Sequence, residues 1–127
     1  MELENLVVSG AELDKRLVAE ILAPFVQLDK DAVNIRPTDG WDKLSQEDKI
    51  VIYLIARKAM KALGFNLPSE EVSAGELVRD TGIKSGTAYP ALRKLLSENV
   101  LKQADNKKYF VPVYAIPAIR VKLIKAP

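Results

Sequence analysis

The segment between Ser45 and Gly64 constrains the fold more than any other part of the chain. It reads Ile-Val-Ile-Tyr-Leu-Ile from Ile50 to Ile55, and apolar residues return at Met60 and Leu63. At about 100° per residue these positions cover most sides of a helix. A helix over Gln46–Leu63 must therefore lie in the centre of a core and be wrapped by other elements. Ser45 and Asp48 carry the spacing of a capping box, in which a hydroxyl and a carboxylate satisfy amides of the first turn. Gly64 suits the left-handed residue that closes a helix. The run is also too short for a membrane span, which needs roughly 18 or more apolar residues, and Lys49 and Arg57 flank it.

Two further capping boxes, Ser9…Glu12 and Ser73…Glu76, mark other helix starts. The first predicts a helix over Gly10–Ala23 with Leu13, Leu17, Val18, Ile21 and Leu22 on one stripe, ended by Pro24. Phe25–Leu28 and Ala32–Ile35 are short alternating runs around a polar triplet and predict a small hairpin. Pro37-Thr38-Asp39-Gly40 is turn-forming. The second box predicts a short helix over Ala74–Asp80, stopping at Thr81-Gly82. A further helix opens at Ser85 or Thr87 and runs to Ser97, with Ala88, Ala91, Leu92, Leu95 and Leu96 inward. Val100–Gln103 and Lys108–Val111 are strand-like, joined by the polar turn Ala104–Lys107. Ile119–Leu123 fits a strand or a helix equally.

Composition excludes much chemistry. The 127 residues contain no Cys and no His, which removes thiolate nucleophiles, disulfides, the usual zinc ligands and every Ser-His arrangement. Asp29, Asp31, Asp39 and Asp42 are the one carboxylate cluster. A calcium loop starting at Asp29 would need an oxygen side chain, Gly and Glu where Val33, Asn34 and Gly40 stand. These aspartates read as turn and cap residues. Gly82–Thr87 holds the letters of a phosphate-binding loop in the wrong order, and Trp41 reads as a cover over the core. No catalysis, cofactor or metal is expected. The acidic start, Met1-Glu2-Leu3-Glu4, is unlike a signal peptide, and the expected location is cytoplasmic. Charge is asymmetric. Residues 1–71 carry 9 Lys/Arg against 13 Asp/Glu, whereas residues 72–127 carry 10 against 4. A basic C-terminal half points to a polyanionic partner.

The predicted order is a long helix, a short helix, the turn Thr81-Gly82-Ile83-Lys84, another helix and a basic-tipped hairpin. This is the order of a winged helix-turn-helix. The string Ser85-Gly86-Thr87-Ala88-Tyr89-Pro90-Ala91-Leu92-Arg93-Lys94-Leu95 resembles the recognition helix of PadR-like winged-helix regulators, where G-T-x-Y-P-x-L-x-x-L precedes a hairpin ending in a basic residue and Tyr, here Lys108-Tyr109. The likeness spans about 73–111 and is tight over 85–96. It implies DNA binding, usually as a dimer, with this helix in the major groove and the wing on the backbone. The expected architecture is mainly α with a small β-hairpin (α+β): an N-terminal helix and hairpin extension over 1–44 and a winged helix over 45–127.

The expected partner is double-stranded DNA. Ser85, Gly86 and Thr87 open the helix whose free amides and positive dipole end suit a phosphate. Pro90 is expected in its first turn, where a missing N–H matters little. Arg93 can fork onto guanine O6 and N7, and Lys94 suits phosphate. Lys84, Tyr89, Lys102, Lys107 and Lys108 complete the expected contacts. The plainer reading makes Arg93 and Lys94 a solvated face, Lys107 and Lys108 an ordinary turn, and Tyr89 a packing residue. Paired half-sites predict a homodimer. The rival function is a winged helix used for protein–protein contact within a larger complex, since fold alone does not choose.

Overall fold

A computed structural model describes residues 13–124. Helix α1 spans Lys15–Leu22, and the Asp14 carboxylate accepts the Leu17 amide at 3.0 Å. The helix therefore starts at Lys15, with Asp14 in the capping role, and not at Gly10. The expected box Ser9…Glu12 lies outside the described residues. Val18, Ile21 and Leu22 are buried, as the stripe predicted.

Strands β1 (Val26–Asp29) and β2 (Asn34–Pro37) pair antiparallel, Val26 opposite Pro37 and Asp29 opposite Asn34. The hairpin is real, but its strands sit one to two residues later than the alternation suggests. The reason is the turn. Asp29 accepts the Ala32 amide at 3.1 Å, Val33 takes a positive φ of 50°, and Asp29 also pairs with Arg36. The Ala32 amide, followed by Arg36, holds the Asp29 carboxyl below its ordinary range. The excursion closes tightly at its base. Thr38 donates its amide to Phe25 O at 2.9 Å and its hydroxyl to Pro24 O at 3.0 Å. A Cβ on Gly40 would stand 2.2 Å from Pro24 O, so only glycine fits there.

Helix α2 (Gln46–Ala62) is the central element. Ser45 Oγ accepts the Asp48 amide at 3.1 Å, and every residue from Ile50 to Ala56 is buried. Trp41 caps this core from a 3-10 turn over Trp41–Lys43. Gly64 has φ +81° just past the helix end. Lys58, pointing inward, is 8% exposed; its ammonium lies 2.6 Å from Glu70 Oε2 and 5.9 Å from the Phe110 ring centre.

Helix α3 (Ala74–Thr81) is capped by Ser73, whose Oγ accepts the Glu76 amide at 3.1 Å, and it ends at Gly82 with φ 75°. Helix α4 (Ser85–Ser97) follows directly. Tyr53 on α2 donates its hydroxyl to Asp80 at 2.5 Å, fastening α3 to the core. Strands β3 (Lys102–Gln103) and β4 (Tyr109–Phe110) are shorter than predicted. A bridge extends the pairing on the other side of β4: Tyr109 N–H donates to Val72 O at 2.7 Å, and Val72 N–H to Tyr109 O at 3.0 Å.

The C-terminal ambiguity resolves as helix α5 (Ile116–Leu123), with Pro117 in the first turn, where its missing N–H is harmless. Ile116 and Ile119 face inward, and Arg120 Nε meets Glu20 Oε2 of α1 at 2.7 Å. One buried cluster runs from Val18 to Ile119, each fully buried aliphatic side chain contributing roughly 1.5–3 kcal/mol. The architecture is α+β, with five helices and two small antiparallel hairpins among the described residues. No described helix is long and apolar enough to cross a membrane.

Candidate nucleic-acid interface

Helix α4 packs through Ala88, Ala91, Leu92 and Leu95, all buried. Geometry then dictates what faces out. At about 100° per residue, Gly86, Pro90, Arg93 and Ser97 fall on the line opposite that face. Lys94 and Thr87 lie on one flank and Tyr89 on the other. All seven are exposed. Tyr89 is 46% exposed, so about half of its side chain is still covered by its neighbours.

The helix opens at Ser85, after Lys84 in the N-cap position without a side-chain cap. Lys84 O accepts the amides of both Thr87 and Ala88 at 2.9 Å. The Ser85 and Gly86 amides have no acceptor among the described residues, and the first turn carries no acidic residue. Free donors at the positive end of a helix are the chemistry that suits an anion. Nothing lies within 4 Å of where a Gly86 side chain would begin, so the approach is open. Starting at Ser85 puts Pro90 at the sixth helical position, in the second turn and not the first. Its ring therefore removes the bond that would run to Gly86 O.

The cations differ in what surrounds them. Arg93 and Lys84 have no carboxylate partner among the described residues, and neither does Lys107. Lys94 Nζ lies 3.1 Å from Glu47 Oε2, in the first turn of α2. That hydrogen bond raises the Lys94 pKa, with the neighbouring Glu47 and Glu98 charges adding to it. Glu47 and Lys94 share a shallow depression with Ser45, Thr87 and Pro90.

On the second hairpin, Lys107 is exposed at the tip with φ 65°. Lys108 is half-buried, 4.0 Å from Glu76 Oε1 of α3. Asn106 accepts the Lys108 amide and donates to Glu71 at 3.2 Å, tying the tip back to the segment before α3. The Lys102 ammonium sits 5.6 Å from the centre of the Tyr114 ring, engaged by the residues after β4.

Of the expected contacts, Lys84, Ser85, Gly86, Thr87, Tyr89, Arg93 and Lys94 thus share α4 and its cap. Lys107 and Lys108 are at the hairpin tip, and Lys102 faces Tyr114. The residues the sequence reading missed are Glu47, Glu71 and Glu76. Glu47 lies 47 positions from Lys94, so no local pattern links them. No protein-family model, no curated protein and no solved structure matches this chain.

Proposed function

We propose that the chain is a winged helix that binds double-stranded DNA, with α4 in the major groove and the β3–β4 hairpin along the backbone, and that it regulates transcription. The observation that carries this reading is the outward face of α4, where Arg93, with no carboxylate partner among the described residues, stands two turns beyond two amides that have no acceptor among those residues, at an acid-free helix start. Support also comes from the order of elements: α2, the Val72 bridge, α3, a three-residue turn, α4, then the hairpin. The likeness of 85–95 to PadR-like recognition helices agrees with it. Arg93 forks onto a guanine edge, and Lys84, Ser85, Gly86 and Thr87 meet phosphates. Palindromic sites call for a homodimer. Because α1 packs against α2 and α5 within its own chain, the exposed Leu63, Tyr114 and Val121 are the large apolar side chains that, away from α4, remain for that contact among the described residues. Light scattering that gives only monomer would remove the dimer.

The test is fluorescence anisotropy with a labelled mixed-sequence duplex at about 50 and 200 mM salt, where affinity for phosphates falls steeply. Wild type is expected to bind at micromolar concentration or tighter at the lower salt. Arg93→Ala should bind several-fold more weakly and discriminate less between sequences, whereas Lys84→Ala should flatten the salt dependence by about one unit of slope. Absence of binding at the lower salt refutes the reading. It would favour the second one, a protein-binding winged helix, in which the carboxylates beside Lys94 and Lys108 would have no phosphate to repel.

A further inference from the structure

We infer that Glu47 is a specificity-determining residue: its carboxylate stands in for a phosphate at Lys94 and so holds down binding to arbitrary duplex. This rests on the DNA-binding reading above. The two side chains lie 3.1 Å apart on the rim of the depression that also holds Gly86, Thr87 and Pro90. A backbone phosphate that approaches Lys94 must come up beside the Glu47 carboxylate, which repels it, and must take over a cation already neutralised. Lys94 therefore releases few counterions and adds little to phosphate-only affinity.

Arg93, one residue away on the outermost line of α4, has no such competitor among the described residues. Base contact through Arg93 keeps its full value while phosphate contact through Lys94 is discounted. The outcome is a larger gap between a matched and an unmatched site, obtained by weakening the unmatched one. Lys108 beside Glu76 is a looser version of the same arrangement, at 4.0 Å.

The test compares Glu47→Gln with Glu20→Gln on a random-sequence duplex by anisotropy. Both variants remove one negative charge, but Glu20 pairs with Arg120 where α1 meets α5. Glutamine keeps the size and polarity of Glu47, and a thermal melt confirms folding. Glu47→Gln should bind about three- to tenfold more tightly at low salt, with a salt slope steeper by about one. Glu20→Gln should stay within about twofold of wild type, because Glu20 pairs with Arg120 and leaves the Glu47–Lys94 contact intact. In a Lys94→Gln background, Glu47→Gln should lose most of its gain.

An unchanged Glu47→Gln affinity overturns the inference, as does an equal gain from Glu20→Gln or a gain that survives without Lys94. If wild type binds and Arg93→Ala weakens it while Glu47→Gln does nothing, the inference alone fails. If neither wild type nor Glu47→Gln binds, the DNA reading fails and takes the inference with it.

Discussion

Replacing Lys58 by methionine removes a positive charge from inside the protein and leaves its carboxylate behind. The Lys58 side chain is 10% exposed and that of Glu70 27%. Glu70 Oε2 is buried and makes no directed hydrogen bond among the described residues, so the ammonium at 2.6 Å is what compensates its charge. Breaking a fully buried pair costs about 3–5 kcal/mol, because the survivor is an unpaired charge in a poor solvent. Water still reaches part of Glu70, and methionine preserves the packing of the lysine stem, so Lys58→Met should cost about 2 kcal/mol. For a chain of this length that lowers the melting temperature by roughly 6–10 °C. Removing both charges in Lys58→Met/Glu70→Met should cost less than Lys58→Met alone, since no orphan remains. Urea unfolding followed by circular dichroism, with Trp41 fluorescence as a second probe, measures all three. A Lys58→Met change below about 0.5 kcal/mol, or a double variant as costly as the two singles added, would refute the reasoning.

Two further perturbations test the frame around α3. Burial, and then the hydrogen bond to Asp80, hold the Tyr53 hydroxyl protonated well above the ordinary tyrosine range. Its pKa is raised on folding, so the stabilisation is fully present below pH about 10 and is lost as pH rises toward the folded-state value. Urea midpoints measured between about pH 9 and 11.5 should fall more steeply for wild type than for Tyr53→Phe; parallel curves would show that Tyr53 ionises as freely folded as unfolded. At the same end of α3, Gly82→Ala should lose about 1–2 kcal/mol in the same denaturation assay. Its φ of 75° is the whole cause, because nothing lies within 4 Å of the added carbon. An unchanged midpoint would mean the turn relaxes freely.

What could be read from the sequence was what short-range chemistry decides. The Ser45 and Ser73 hydroxyls cap α2 and α3 as their spacing requires, though the Asp48 and Glu76 carboxylates turn to lysines and do not complete the boxes, Gly64 takes the left-handed conformation, and the buried faces of α2 and α4 follow from apolar spacing. Boundaries slipped where a side chain intervened: Asp14 starts α1, and the Asp29 turn shifts the first hairpin. Helix α5 was ambiguous because Ile119–Leu123 fits both periods, and its contact with α1 decides the matter. The candidate interface divides the same way. The exposed line of α4 follows from periodicity, but what each lysine faces does not. Lys94 meets Glu47, Lys108 lies near Glu76, and Lys102 turns to Tyr114 through tertiary packing alone.

The paired hydrogen bonds between Val72 and Tyr109 make the second hairpin a lever with a fixed pivot. Val72 is fully buried and immediately precedes the cap of α3, so the base of the hairpin is set by the same residues that set α3 and, through Gly82, α4. Ala104–Lys107 hangs beyond that pivot, in contact chiefly with itself and Glu71. Residues inserted at the tip would extend its reach without moving its fulcrum or the helix beside it. The length of that arm and the placement of α4 are thus separately adjustable, one by loop insertion and the other only by repacking the core.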